Sequence, residues 1–169
     1  LIIGMIWLFS SFYFSELNQI INYAIISSLL IAISIIDYRY FIIPLKLSII
    51  SFLIITIDLL YTNLLTSHLS GLIMGIGYLS FIFIITWVIT KRQGLGFGDL
   101  QLILVLGYWI GDFRIILVIF TSALFAIIFW VILSYLYGYD NKRALPFGSF
   151  LSITSILFYP IKFDGFNLL

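Results

Sequence analysis

Cysteine is absent from the 169 residues of this chain, and histidine occurs once, at His68. Without cysteine the chain cannot form disulfides, use a thiolate nucleophile or ligate zinc through sulfur. A single histidine argues against a histidine-based metal site. Charge is also scarce, because Asp, Glu, Lys and Arg make up 9% of the residues and the net charge is +1. The chain therefore lacks the basic surface that nucleic-acid binding requires. We expect no metal, no cofactor and no nucleic-acid partner.

Apolar residues make up most of the chain. They account for 63% of the sequence, and the mean hydropathy is +1.24. A soluble domain of this length could not cover so much apolar surface. The composition therefore predicts an all-α, polytopic transmembrane bundle of about six to seven spans in the plasma membrane. We expect residues 1–169 to form a single integral-membrane domain, and because Leu1 is not an initiator residue, we expect an N-terminal segment to be missing.

The apolar runs set the expected spans, since a spanning helix needs about 20 mostly apolar residues. The opening run, from Leu1 to Phe14, is short for a span. The run that starts at Asp99 is also short, and the alternation of a membrane β-barrel is absent throughout. The predicted spans are Ile20 to Ile36, Pro44 to Tyr61, Leu69 to Thr90, Asp99 to Ile110, Phe113 to Tyr137 and Pro146 to Ile161.

Positive charge falls on one side of this arrangement. The connections at residues 37–46, 91–98 and 138–145 share one side, and they carry six of the eight Lys and Arg residues. Cytoplasmic connections are enriched in these residues. The charges therefore predict that Asp37 and Asp99, at the ends of two spans, both lie at the cytoplasmic face.

Asp37 and Asp99 are the candidate catalytic residues. Two carboxyl groups that face one cavity do not both ionise readily, so they share a proton, and one can activate water while the other polarises a carbonyl. Asp99 begins a helix and Asp37 ends one, so the helix dipoles favour Asp99 as the base and Asp37 as the acid. The alternative for each is a solvated interfacial residue paired with Arg39 or Lys91.

Glycines precede the second aspartate at alternate positions, Gly94, Gly96 and Gly98. Glycine permits left-handed or crowded backbone. The stretch predicts a main chain that an extended substrate can approach closely beside Asp99. A flexible connection between two spans would also contain such glycines.

Two prolines mark the other breaks between spans. Pro44 follows Asp37 by seven residues and predicts a helix start. Pro146 with Gly148 two residues later predicts irregular backbone at the start of the last span. Irregular backbone within a membrane occurs only where it lines a cavity or is buried in protein. A plain helix start is the alternative.

Together these three elements resemble the type IV prepilin peptidase family, also called leader peptidases, which are membrane aspartyl proteases. The resemblance covers about residues 20 to 160 and rests on Asp37 with Pro44, on the Gly-x-Gly-x-Gly-Asp stretch at 94–99, and on Pro146-Phe147-Gly148. It implies that Asp37 and Asp99 are the catalytic pair. It also implies that the substrates are prepilins or pseudopilins, whose basic leaders are removed after a glycine at the cytoplasmic face. The products of such cleavage serve type IV pili, competence and protein secretion.

The sequence departs from the family pattern at three places. Gln101 stands where the family usually has lysine, and Ser149 stands where it often has proline. Many bacterial members also carry a cysteine-rich, zinc-binding loop that accompanies N-methylation of the new terminus. Because the chain has no cysteine, we expect it to lack the methyltransferase function.

A second enzyme assignment keeps the chemistry of the two aspartates and changes the substrate. Archaeal preflagellin peptidases share the glycine–aspartate pattern, and presenilin-type intramembrane proteases use a related one. The latter usually have Tyr before the first Asp and Pro-Ala-Leu near the end, whereas this chain has Ile36 and Pro-Phe-Gly. The non-enzyme alternative is a small ion-coupled transporter with Asp37 and Asp99 as ion ligands. The sequence leaves the oligomeric state open.

Three further features have structural interpretations. His68 is expected to be a solvated loop residue. Gly71 and Gly75, four positions apart, predict close helix packing. Asp112 and Arg114 are expected to form a local interfacial ion pair that contributes little stability.

Overall fold

The computed structural model describes residues 1–91, 96–140 and 144–161, with the side chain of Thr90 excluded. Within these ranges the chain forms seven helices and no strands. The helices are α1 (Ile2–Tyr13), α2 (Leu17–Tyr40), α3 (Leu45–Thr62), α4 (Leu65–Thr90), α5 (Phe97–Ile110), α6 (Arg114–Tyr137) and α7 (Phe147–Phe158).

Four of the helices, α2, α3, α4 and α6, are long and apolar enough to cross a membrane. The other three are shorter, at 12 residues for α1 and α7 and 14 for α5. The chain is a multi-pass membrane protein, and the predicted all-α polytopic bundle is confirmed. The predicted boundaries lie close to those observed, although α2 continues beyond the predicted end at Ile36 to Tyr40.

Helix α5 lies at the centre of the bundle. It packs against α3, α4, α6 and α7, and it is buried almost all round between Leu102 and Ile110. A helix that is apolar on every side belongs in a protein interior or in lipid. Here the interior accommodates it, which explains how a helix too short to span the membrane is stably placed.

Small residues bring α4 and α5 together. A Cβ added to Gly71 would lie 2.5 Å from the backbone oxygen of Gly107, and one added to Gly75 would lie 3.7 Å from the Cα of Gly107. The predicted close packing is therefore present. The expectation for His68 is wrong, because it lies in the first turn of α4 and its Nδ1 is 3.0 Å from the carbonyl oxygen of Tyr108. It lies where two helices meet, a contact that no local pattern reveals.

Arg114 links the ends of two helices. Its Nε lies 2.8 Å from both carboxylate oxygens of Asp112, as expected for a local pair. Its guanidinium also donates to the carbonyl oxygens of Ile110, Tyr159 and Ile161, at 3.2, 3.1 and 2.8 Å. Carbonyl groups at a helix C-terminus lack partners within the helix. Arg114 therefore satisfies groups at the ends of α5 and α7, which the expected local pair did not include.

Candidate active site

Asp37 and Asp99 come from distant helices and line the same cavity, which has a volume of about 450 Å³. Asp37 is in the last turn of α2, and Asp99 is in the first turn of α5. Both are buried, with 5% and 9% of their surfaces exposed. The structure therefore brings the two sequence-predicted carboxyl groups to one cavity. The remaining lining residues are Phe41, Ile42, Ile43, Gly96, Phe97, Gly98, Gln101, Ala144, Leu145 and Phe147.

Asp99 is held at the start of its own helix. The backbone N–H of Gly96 donates to Asp99 Oδ2 at 3.0 Å, and the N–H of Asp99 donates to the carbonyl oxygen of Gly96 at 3.1 Å. These paired bonds close the first turn of α5. A carboxylate at this position interacts favourably with the positive end of the helix dipole.

Asp37 is held by the start of a different helix. The backbone N–H of Ser149 donates to Asp37 Oδ2 at 2.7 Å, and the hydroxyl of Ser149 lies 3.0 Å from the same oxygen. The Ser149 hydroxyl also lies 2.8 Å from the carbonyl oxygen of Ser34. Ser149 is the third residue of α7, where a backbone N–H lacks the usual acceptor four residues earlier in the helix; its N–H also lies 3.2 Å from the carbonyl oxygen of Pro146, the residue before the helix. The carboxyl group of Asp37 thus occupies the anion-binding end of α7.

Ser149 was not among the sequence-predicted site residues. It stands 112 positions from Asp37, and no local pattern connects the two. The one available signal was a hydroxyl residue at the start of a predicted helix, next to Pro146-Phe147-Gly148.

The placement of Asp37 also changes the argument for acid and base roles. From the sequence, Asp37 ends a helix and Asp99 begins one. In the fold, both carboxyl groups accept hydrogen bonds from backbone N–H groups, and both lie at the N-terminal turn of a helix, α7 for Asp37 and α5 for Asp99. The dipole argument therefore no longer separates the two aspartates.

Ile43 fills the space between the walls that carry the two aspartates. A Cβ added to Gly98 would lie 3.2 Å from Ile43 Cβ. One added to Gly148 would lie 2.7 Å from Ile43 Cδ1 and 3.1 Å from Asp37 Oδ2. A larger residue at 148 would therefore require the side chains of Ile43 and Asp37 to shift. The crowding expected at these glycines thus comes, in part, from the protein's own Ile43.

The other predicted site residues have plainer positions. Pro44 is the residue before α3, and its ring restricts the preceding Ile43 to extended backbone. Pro146 is the residue before α7 and is buried. Gly96 lines the cavity, and a Cβ there would be 3.4 Å from Asp99 Oδ2, an ordinary contact. Gly94 lies outside the described residues.

The described residues contain no group of three or more His, Cys, Asp or Glu side chains that could hold a metal ion. Asp58, another acidic residue in a long apolar helix, does not join the pair. It lines a separate cavity of about 230 Å³ between α2 and α3, together with Asn18, Asn22 and Tyr61. The chemistry that the main cavity supports is that of two carboxyl groups and the backbone donors that hold them.

Known proteins resemble this chain over most of its length. The model of the type IV leader peptidase family matches residues 24–131. Relatives bearing the name prepilin leader peptidase/N-methyltransferase occur in several bacteria, including the following three. The Pectobacterium carotovorum protein is 28% identical over 156 residues, which are 85% of this chain and 52% of the relative. The Dichelobacter nodosus protein is 30% identical over 139 residues, which are 76% and 44% of the two chains. The Pseudomonas aeruginosa protein is 31% identical over 110 residues, which are 59% and 38%.

The chain thus spans about half the length of the curated relatives it matches, or somewhat less. No solved structure matches it.

Proposed function

The chain belongs to the type IV leader peptidase family, and from this premise we propose that it is an aspartic endopeptidase that removes the leaders of type IV prepilins and pseudopilins. One observation carries the proposal. Asp37 and Asp99, which lie on helices far apart in the sequence, line one cavity and are both nearly buried. The name of the bacterial relatives supports the substrate class. The proposal concerns the peptidase reaction and not the N-methylation that the same name includes.

In the proposed reaction, one ionised aspartate takes a proton from water as the water oxygen attacks the scissile carbonyl carbon. The other aspartate, which is protonated, transfers its proton to the carbonyl oxygen, so the tetrahedral intermediate carries no full negative charge. When the C–N bond breaks, the first aspartate protonates the leaving amine and the second recovers a proton from the intermediate's hydroxyl. The pair starts and ends with one proton.

Hydrogen bonds from the backbone orient each carboxyl group for the proposed hydrolysis. Gly96 holds one oxygen of Asp99 and Ser149 holds one oxygen of Asp37. A reaction that uses two groups at once depends on their mutual geometry. The hydrogen bonds from two helix starts each hold one carboxyl oxygen in place, and this supports the proposal.

The cytoplasmic placement of the site is part of the proposal. The cavity is lined by the connection between α2 and α3 and by residues that precede α5 and α7. Arg39 and Lys46 flank the connection between α2 and α3, and Lys91 follows α4. These positive charges therefore lie at the same ends of α2, α3 and α4 as the cavity. The enrichment of Lys and Arg on cytoplasmic connections supports a cytoplasmic cavity, where a basic leader would reach it.

The decisive experiment measures cleavage of a peptide that contains a basic leader, a glycine and the first part of an apolar stem. We expect the purified chain in detergent to cut it after the glycine, and we expect Asp37→Asn and Asp99→Asn each to lower the rate by roughly 10³-fold or more. Asp58→Asn is the matched control, because Asp58 lines the separate cavity, and it should leave the rate unchanged. Each variant is checked for folding by thermal melting. No cleavage by the wild type, or full cleavage by a folded variant of Asp37 or Asp99, would reject the proposal.

A further inference from the structure

Gln101 combines a position in the cavity wall with an unused hydrogen-bonding group. Its side chain lines the same space as Asp37 and Asp99. Its amide nitrogen, Nε2, is buried and has no hydrogen-bond partner among the described residues. The sequence marked this position only as a departure from the family pattern, and the reaction as proposed above gives it no task.

A buried donor without a partner destabilises a folded protein, and such groups in native structures call for an explanation. An apolar side chain at 101 would leave no buried donor without a partner in the substrate-free protein. The unpartnered amide is accounted for if its partner arrives with a ligand.

Gln101 is not placed to serve Asp99 directly. Residues two apart on a helix do not face each other, and the hydrogen bond that holds Asp99 Oδ2 comes from the backbone of Gly96. The amide donor is therefore available to a different acceptor, one that enters the cavity with a ligand. In an extended peptide that passes the two carboxyl groups, the available acceptors are backbone carbonyl oxygens.

We propose that Gln101 binds the substrate by donating a hydrogen bond from Nε2 to a backbone carbonyl oxygen of the peptide, next to the bond that is cut. The inference rests on the proposed peptidase function and adds a binding residue to it. Because the contact is made to main chain by a neutral donor, it fixes the register of the peptide and is insensitive to the charge of the leader.

The test compares Gln101→Leu, which keeps the approximate size and removes the donor, with Gln101→Lys, which keeps a donor. We expect Gln101→Leu to lower kcat/KM by about tenfold, mainly through KM, while its melting temperature stays the same or rises. Gln101→Lys should recover most of the lost kcat/KM. Ser134→Ala is the matched control, since Ser134 Oγ is also buried without a partner among the described residues but lies outside the cavity. It should leave kcat/KM and KM unchanged, while its melting temperature stays the same or rises.

A binding measurement separates this inference from the proposed function. A fluorescently labelled leader peptide is titrated into the Asp37→Asn variant with and without Gln101→Leu, and the added change should weaken binding by about the same factor. Unchanged binding and unchanged KM in a protein whose wild type cleaves would overturn the role of Gln101 and leave the peptidase proposal intact. A fall in melting temperature that parallels the loss of activity would also overturn it, because Gln101 would then be structural. If the wild type does not cleave, the proposed function falls and this inference falls with it.

Discussion

Replacing Ser149 by alanine tests whether the start of α7 holds Asp37 for catalysis. The hydroxyl of Ser149 has one proton and two acceptors within reach, the Ser34 carbonyl oxygen at 2.8 Å and Asp37 Oδ2 at 3.0 Å. A hydrogen bond to a charged group contributes about 1.5–3 kcal/mol. Because the single proton is divided between the two acceptors, we take about 1–2 kcal/mol as its contribution to Asp37. The backbone N–H of Ser149, at 2.7 Å, remains in the variant.

A loss of about 1–2 kcal/mol in the transition state corresponds to a roughly 5- to 30-fold decrease in kcat. Ser149 does not line the cavity, so KM should hold while kcat falls. Ser149→Thr keeps the hydroxyl and should recover much of the activity. The assay is steady-state cleavage of the leader peptide by each purified variant.

The control for this prediction is Ser152→Ala on the same helix. Ser152 is also buried, but its hydroxyl donates to the backbone carbonyl of Gly148 at 2.8 Å and reaches neither aspartate. Its replacement should leave kcat unchanged. Equal losses in Ser149→Ala and Ser152→Ala would show that general packing of α7, and not the contact with Asp37, accounts for the effect. Full activity of Ser149→Ala would refute the reasoning outright.

Three other predictions test the fold and the orientation of the chain in the membrane. Gly71→Ala should destabilise the protein by about 1–3 kcal/mol, because its Cβ would lie 2.5 Å from a backbone oxygen of α5. Gly77→Ala should leave the stability unchanged, since nothing lies within 4 Å of a Cβ there, and thermal melting of both variants measures the difference. Arg114→Lys should lower the melting temperature, because an ammonium group cannot reproduce the planar fork that reaches several carbonyl groups at once; an unchanged melting temperature would contradict it. Lys46→Cys should be protected from a membrane-impermeant maleimide in intact cells, while Thr62→Cys, at the other end of α3, should react. The chain has no native cysteine to interfere with the labelling. The reverse labelling pattern would place the cavity on the outer side of the membrane.

The elements of this fold were largely predictable because apolar runs and their breaks are local properties. The run predicted from Asp99 to Ile110 corresponds to α5, at Phe97–Ile110, and the run from Phe113 to Tyr137 to α6, at Arg114–Tyr137. Each ends where charge or glycine makes continued burial in lipid costly. The same reasoning failed for His68, whose partner is a carbonyl on another helix.

The composition of the site was only partly predictable, since it depends on which helix starts meet. The positions of Asp37 and Asp99 at breaks between apolar runs, on one predicted face of the membrane, made them a candidate pair. The arrangement of the helices in the membrane decides whether the two meet, and the residues alone do not give that arrangement. The contact from Ser149 to Asp37 joins α7 to α2, and the unpartnered amide of Gln101 becomes apparent only when its surroundings are known. Both depend on tertiary packing, which no pattern within a single helix records.

The shortness of α5 and α7 is what allows a polar cavity to form among apolar helices. At 1.5 Å per residue, α5 is about 21 Å long and α7 about 18 Å, both well short of the roughly 30 Å of a bilayer core. The N-terminal turn of α7 therefore ends among the long helices, where Gly148 and Ser149 are buried, whereas α5 begins at the exposed Gly96 and Phe97 and first becomes buried at Asp99. Backbone N–H groups at a helix start need acceptors. Asp37 accepts from Ser149, and Asp99 accepts from Gly96. A full-length span in place of α7 would carry the N–H of Ser149 out to water, and the buried carboxyl group of Asp37 would lose that partner.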